Sequence, residues 1–127
     1  MSTSATPLAG SLEMPESPAE KDADNAIDVA LMQRVASGEE TAFAELVERH
    51  QNAVTGTIAK MLGDPTEAED LAQQVFLRVW KHAKRWKPDA KFTTWLFTIT
   101  RNLVYNESRR RSRKREVSAD ERQEEVG

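Results

Sequence analysis

No cysteine occurs in the 127 residues, and histidine is confined to His50 and His82. The absence of thiols excludes a disulfide framework and a thiolate metal site, and it suits a reducing compartment. The two histidines fall on different expected helices, and neither HExxH nor a Ser-His-Asp spacing is present, so no metal centre or nucleophilic triad can be assembled. There is no glycine-rich phosphate loop. No apolar run approaches the ~20 residues that a membrane helix needs. The first residues lack the basic-then-apolar order of a secretory leader. Neither a metal nor a cofactor is therefore expected, nor direct membrane insertion, and a cytoplasmic protein that works by binding rather than catalysis is. Period-two alternation is also missing, which leaves an all-α fold.

Charge is present in quantity but is unevenly placed. Between Arg78 and Arg115 stand thirteen Lys/Arg and two Asp/Glu, a net of +11, while the other residues carry five Lys/Arg and nineteen Asp/Glu, a net of −14. The total of −3 hides this separation. A basic segment with aromatics interleaved is a candidate nucleic-acid surface.

The chain divides by composition. Residues 1–24 are rich in Ser, Pro, Ala and Glu, bury little apolar surface and are expected to form a disordered tail. Residues 25–115 carry helical periodicity, enough for one modest core. Residues 116–127 alternate in charge and are expected to fray. About four helices fit the pattern. The first covers about 26–37, with Ile27, Leu31 and Val35 as its apolar stripe and Gly38 as its stop. The second runs from a cap at Thr41 to Leu62, with Phe43, Leu46, Val47, Val54, Ile58 and Met61 on one face and Gly63 ending it. The third opens at Asp64, with Pro65 in the first turn and Glu67 placed to close a capping box. It buries Leu71, Ala72, Val75, Phe76 and Val79 and ends near Trp86, before Pro88. The fourth begins near Ala90 or Lys91, reaches Arg113, and buries Phe92, Leu96, Ile99 and Leu103.

Two surfaces carry chemistry. On the fourth helix Trp95, Asn102, Asn106, Arg109 and Arg113 form one stripe. Cations bind phosphate, Asn can pair bidentately with a base edge, and an aromatic can stack on a base that has left the duplex. The loop Arg85-Trp86-Lys87-Pro88-Asp89-Ala90-Lys91 puts further cations and an aromatic at the start of that helix. The bland alternative is a solvated helix face behind an ordinary interhelical turn, although such a turn accounts for Pro88 and not for the clustering of Arg85, Lys87 and Lys91. On the third helix Asp70, Gln73, Gln74 and Leu77 share an exposed strip with Arg78 beside them, suited to docking on another protein's helix; inert surface polarity is the alternative. His82 reads as a surface or capping residue.

The segments DPTEAEDLAQQVFLRVWK and FTTWLFTITRNLVYNESRRR, preceded by LMQRVASGEETAFAELVERH, resemble region 2 of bacterial sigma factors of the sigma-70 family. Within that family the resemblance is to the extracytoplasmic-function (ECF) group, and it covers about Asp28 to Arg115. It implies a partner, core RNA polymerase, with Asp70, Gln73, Gln74 and Leu77 docking on the clamp helices of the largest subunit. It implies a second partner, promoter DNA and mainly the non-template −10 strand. Arg85–Lys91 would capture a flipped base, Asn102 and Asn106 would read bases and Trp95 would lie near the melted bases. Arg85, Trp86, Lys87, Lys91, Arg101, Arg109, Arg110 and Arg113 would complete the DNA-binding set. An anti-sigma factor covering the same faces is a further implied partner. Gln74 departs from the Glu usual in the group. Nothing after Arg115 supplies the group's second, −35-reading domain, so efficient initiation by region 2 alone is not expected. A self-contained helical DNA-binding regulator and a protein-binding decoy of polymerase are the rival readings.

Overall fold

The structure, a computed structural model, describes residues 18–126, with side chains described over 19–116. The chain forms α1 (Pro18–Ala36), α2 (Glu40–Leu62), a 3-10 turn (Pro65–Glu67), α3 (Ala68–His82) and α4 (Phe92–Val126), with no strand among the described residues. Helix α2 is the hub: it packs against α1, the 3-10 turn, α3 and α4, while α4 also meets α1 and α3.

The core follows the apolar stripes, with local corrections. On α3 all five expected residues are buried, and Ala68 and Ala83 join them. On α4 Phe92, Leu96 and Leu103 are buried, Ile99 is only partly so, and Thr100 and Val104 complete the inward face. Thr100 is tolerated there because its hydroxyl donates to the Leu96 carbonyl at 2.9 Å. On α2 Leu46, Val54 and Ile58 are fully buried, but Met61 is 47% exposed, and its neighbour Leu62 packs against the core instead. On α1 the expected stripe is rotated. Ile27 is 44% exposed, whereas Asp28, Leu31, Met32 and Val35 are buried.

Asp28 explains that rotation. Its Oδ1 accepts from Arg49 Nε at 2.9 Å and from His50 Nε2 at 2.8 Å. A buried carboxylate is tolerable only with such partners, and these fix which face of α1 meets α2. Neighbouring groups add to the seam. Arg49 also donates to the Asp24 carbonyl, and Asn25 Oδ1 accepts the Phe92 N–H at 2.9 Å. These contacts hold the N-terminal half of α1 against α2 and α4. Residues 18–24, expected in the disordered tail, are its first turns; the rest of that expected tail, 1–17, lies outside the described residues.

Other boundaries also differ from expectation. Helix α2 begins at Glu40 after Glu39, which makes no side-chain cap, rather than from a Thr41 cap. Gly38 and Gly63 close α1 and α2 with φ of 94° and 68°, values that glycine adopts without a Cβ penalty. Asp64 does cap, accepting the Thr66 N–H at 2.9 Å. The regular helix that follows ends at His82 instead of Trp86, because the N–H groups of Ala83 and Arg85 bond the carbonyls three residues back, of Trp80 and His82, which tightens the last turn. Helix α4 continues to Val126 through the residues expected to fray, and it contains no Pro or Gly to break it.

Asp28→Ala is predicted to lower unfolding stability by about 3 kcal/mol, because it strands Arg49 and His50 without their acceptor. A urea midpoint that falls with an unchanged m-value is the expected readout; an unshifted midpoint would show that the buried pair contributes nothing.

Candidate nucleic-acid interface

The short turn after α3 brings its C-terminal end against the middle of α4, and a groove of about 310 Å³ opens between them. Its α3 wall is Arg78 and His82, with Arg85 and Trp86 from the turn. Its α4 wall is Trp95, Ile99, Asn102 and Asn106, with Leu103 between them. Three of the five stripe residues expected on α4 therefore share one concavity with two cations of the preceding segment. His82, expected as a surface or capping residue, is a wall of this groove and half-buried. Arg78, expected beside the docking strip, lines it too.

The aromatic end of the groove is held from behind. Trp86 and Trp95 have ring centroids 6.2 Å apart, and each lies 6.0 Å from buried Phe92. Trp86 meets Phe92 edge-on, at an interplanar angle of 78°. Such offset and T-shaped packing fixes ring orientation while one face or edge stays open. The two tryptophans are thus part core and part wall. An open aromatic edge beside amides and guanidinium groups can stack a base, pair with its edge and hold its phosphate.

The other expected DNA-binding residues do not all converge there. Lys87 is exposed on the loop outside the groove. Lys91 lines a separate concavity with Asp24, Asn25, Arg49 and His50. The first N–H of α4, at Phe92, is taken by Asn25, so that helix end offers one donor fewer to a phosphate. Arg101 and Arg113 are exposed on α4. Arg109 lies over the Tyr105 ring at 5.7 Å. Arg110 forks onto Glu107 with bonds of 3.1 and 2.9 Å.

Sequence reasoning passed over Arg111. Its Nε donates to Glu107 Oε2 at 3.0 Å, its Nη2 bonds Glu67 Oε2, and its Nη1 stands 3.7 Å from Asp64 Oδ2. Glu67 therefore does not close the expected capping box; its carboxylate is turned to α4. Two carboxyls of this cluster lie below their ordinary values. Glu107 is held down first by the Arg110 hydrogen bonds, with burial opposing and Arg111 adding to the effect. Asp64 is held down first by the Thr66 N–H.

The docking strip on α3 is exposed as expected. Asp70, Gln73, Gln74 and Leu77 all face outward, and Leu77 is 64% exposed. Gln73 and Leu77 also edge a second groove, of about 470 Å³, between α3 and α2, floored by Phe43, Val47, Ala72 and Phe76. Trp80, 38% exposed and edge-on to Phe43 at 5.2 Å, extends the apolar part of this face. No helix among the described residues is long and apolar enough to cross a membrane, and no group of His, Cys, Asp and Glu there could hold a metal ion.

The sigma-70 region 2 family profile matches residues 46–114. The chain belongs to that family. It is 34% identical over 79 residues to RNA polymerase sigma-H factor of Pseudomonas aeruginosa, covering 62% of this chain and 41% of the relative. It is 32% identical over 80 residues to ECF RNA polymerase sigma factor SigW of Bacillus subtilis, covering 63% of this chain and 43% of the relative. The match thus spans less than half the length of either curated relative. Among solved structures, an engineered region 2 of sigmaE in complex with GTAAAA superposes with a TM-score of 0.61 at 28% identity, over 67% of this chain and 88% of that one. CnrH in complex with the cytosolic domain of CnrY superposes with a TM-score of 0.57 at 33% identity, over 63% and 52% of the two chains.

The acid cluster on region 2 has a pH signature. A carboxyl whose folded pKa is depressed contributes stability in full above its unfolded value, about 4.3 for Glu, and loses it as pH falls through the folded value. Glu107→Gln is predicted to lower Tm by about 2–5 °C at pH 7, with the gap to wild type closing as pH falls below about 4. Thermal melts at pH 7 and pH 3 test this; an equal gap at both would remove the Glu107 charge from the account.

Proposed function

We propose that this chain is the part of an ECF-type sigma factor that docks on core RNA polymerase and reads and helps open the promoter −10 element. The observation that carries the reading is the α3–α4 groove, where Trp86 and Trp95 meet Asn102 and Asn106 beside Arg78 and Arg85. A duplex presents no free base face to an aromatic wall, whereas an unstacked non-template base does. The complex of a related region 2 with GTAAAA supports the same use. Unstacking a base costs a few kcal/mol, which stacking in the groove and phosphate contacts from α4 offset. The work is binding, with no covalent step.

The exposed strip of Asp70, Gln73, Gln74 and Leu77 is the proposed polymerase face, meeting the clamp helices of the largest subunit. With Gln74 in place of the usual Glu, an electrostatic contact with polymerase would be weakened or replaced by a neutral hydrogen bond. An anti-sigma protein covering these faces is the further partner proposed, in keeping with the pairing of CnrH and the cytosolic domain of CnrY. A cytoplasmic location follows from that role.

Two tests separate the faces. Co-elution of this chain with bacterial core RNA polymerase on gel filtration is expected, and Asp70→Lys with Gln73→Ala is expected to weaken it at least tenfold while circular dichroism stays helical. Wild-type affinity in that folded double variant would move the docking site elsewhere. Asn102→Ala is expected to cost about 1–3 kcal/mol of discrimination at one base, read with a panel of single-stranded −10 oligonucleotides, and to leave polymerase co-elution intact. Unchanged preference across the panel would reject its base-reading role.

A further inference from the structure

The arginine run at 109–111 and 113 is uniform as sequence but not as structure. At about 100° per residue, Arg109 and Arg113 fall within about 20° of the Asn102 direction on α4, whereas Arg111 falls about 180° from it. Arg111 instead continues the inward face, following Leu96, Thr100 and Val104 at helical spacing, where the bundle no longer supplies apolar partners. Its side chain is 27% exposed, and it binds three carboxylates: Glu107 on its own helix, and Glu67 and Asp64 at the turn before α3. Glu107, at 12% exposure, is the more buried anchor.

We infer that Arg111 is a positioning residue and not a DNA contact: it clamps the second half of α4 to the turn that opens α3, so that Arg109 and Arg113 extend the Asn102/Asn106 line beyond the groove. The inference rests on the proposed DNA-binding reading for its functional part. Without the clamp, α4 beyond Val104 has no buried apolar residue among those described to hold its direction. Phosphate contacts made there would then still form, but only at the entropic cost of ordering that half of α4, so affinity falls while the number of phosphates neutralised does not. A cation already enclosed by three carboxylates also releases few counterions on meeting a polyanion, since its charge is neutralised beforehand.

Two readouts on the full chain test this together. The first is binding to a fluorescein-labelled single-stranded oligonucleotide carrying GTAAAA, titrated at several salt concentrations. The second is amide hydrogen exchange over residues 104–116. Arg109→Gln and Arg113→Gln are each expected to lower the slope of log affinity against log salt by about 0.7, the value for one phosphate contact on a single strand. Arg111→Gln is expected to leave that slope unchanged, to weaken binding about fivefold, and to speed exchange over 104–116. The conservative Arg111→Lys, which keeps a cation among the three carboxylates, is expected to retain most of both protection and affinity. A slope reduced by about 0.7 in Arg111→Gln with exchange unchanged would make Arg111 a phosphate ligand and overturn the inference. Unchanged exchange and affinity would overturn it as well. If the wild-type chain fails to bind the oligonucleotide, the DNA-reading proposal falls, and the exchange data alone then decide whether Arg111 clamps.

Discussion

One buried carboxylate fixes how three helices meet. Asp28 on α1 is 1% exposed and holds Arg49 and His50 of α2 on a single oxygen. The His50 ring lies 5.4 Å from Phe92 of α4, and the Phe92 N–H returns to Asn25, one turn before Asp28 on α1. This is a closed circuit through α1, α2 and α4. Such polar contacts are directional where apolar burial is not. They select one rotation of α1, and they set Phe92 where Trp86 and Trp95 can pack on it. The groove wall is therefore held in place through Phe92 by a network of residues that do not line the groove.

The charge separation seen along the sequence acquires meaning only once the pairs are known. Thirteen cations between Arg78 and Arg115 suggest a broad phosphate-binding face. In the fold they divide by partner. Arg110 and Arg111 are engaged by Glu107, and Arg111 by Glu67 as well. Arg78 and Arg85 stand in the groove, while Lys91 sits with Asp24 in another concavity. Counting cations overstates the positive field that a nucleic acid would meet, because a neutralised guanidinium adds little to it.

What was legible in the sequence was what helical periodicity encodes. The stripe Leu71, Ala72, Val75, Phe76 and Val79 is buried as its spacing implies, and Trp95, Asn102 and Asn106 do share one face. What was not legible were contacts between residues far apart in the chain. Ile27 fits an apolar stripe, but Asp28 takes the inside because its partners lie 21 and 22 residues away. Glu67 fits a capping box, yet it is drawn to Arg111, 44 residues on. Met61 fits the periodic pattern of α2, but Leu62 beside it is the residue that packs on the core. Each miss is a tertiary contact overriding a local signal. His82 is of the same kind: nothing nearby in sequence shows that α4 will turn back to enclose it.

Helix α3 combines the two proposed activities within 15 residues. Taking Leu71 as reference, its buried residues occupy a sector of about 140°, the Asp70-to-Leu77 strip lies on the far side, Arg78 falls at the seam between them and His82 just inside the edge of the buried sector. A strip-and-core reading treats everything outside the core as one surface. The structure instead gives α3 a core face, an open face and a groove wall, and Leu77 borders Arg78 and His82 in a shallow depression that joins the last two. A helix docked along Leu77 would thus adjoin the rim of the proposed base-binding groove, where it would shed water and lower the local dielectric. Both changes strengthen a guanidinium–phosphate contact at Arg78. In that arrangement polymerase would do more than carry the domain to DNA: by covering one side of α3 it would improve the binding chemistry at the edge of the other.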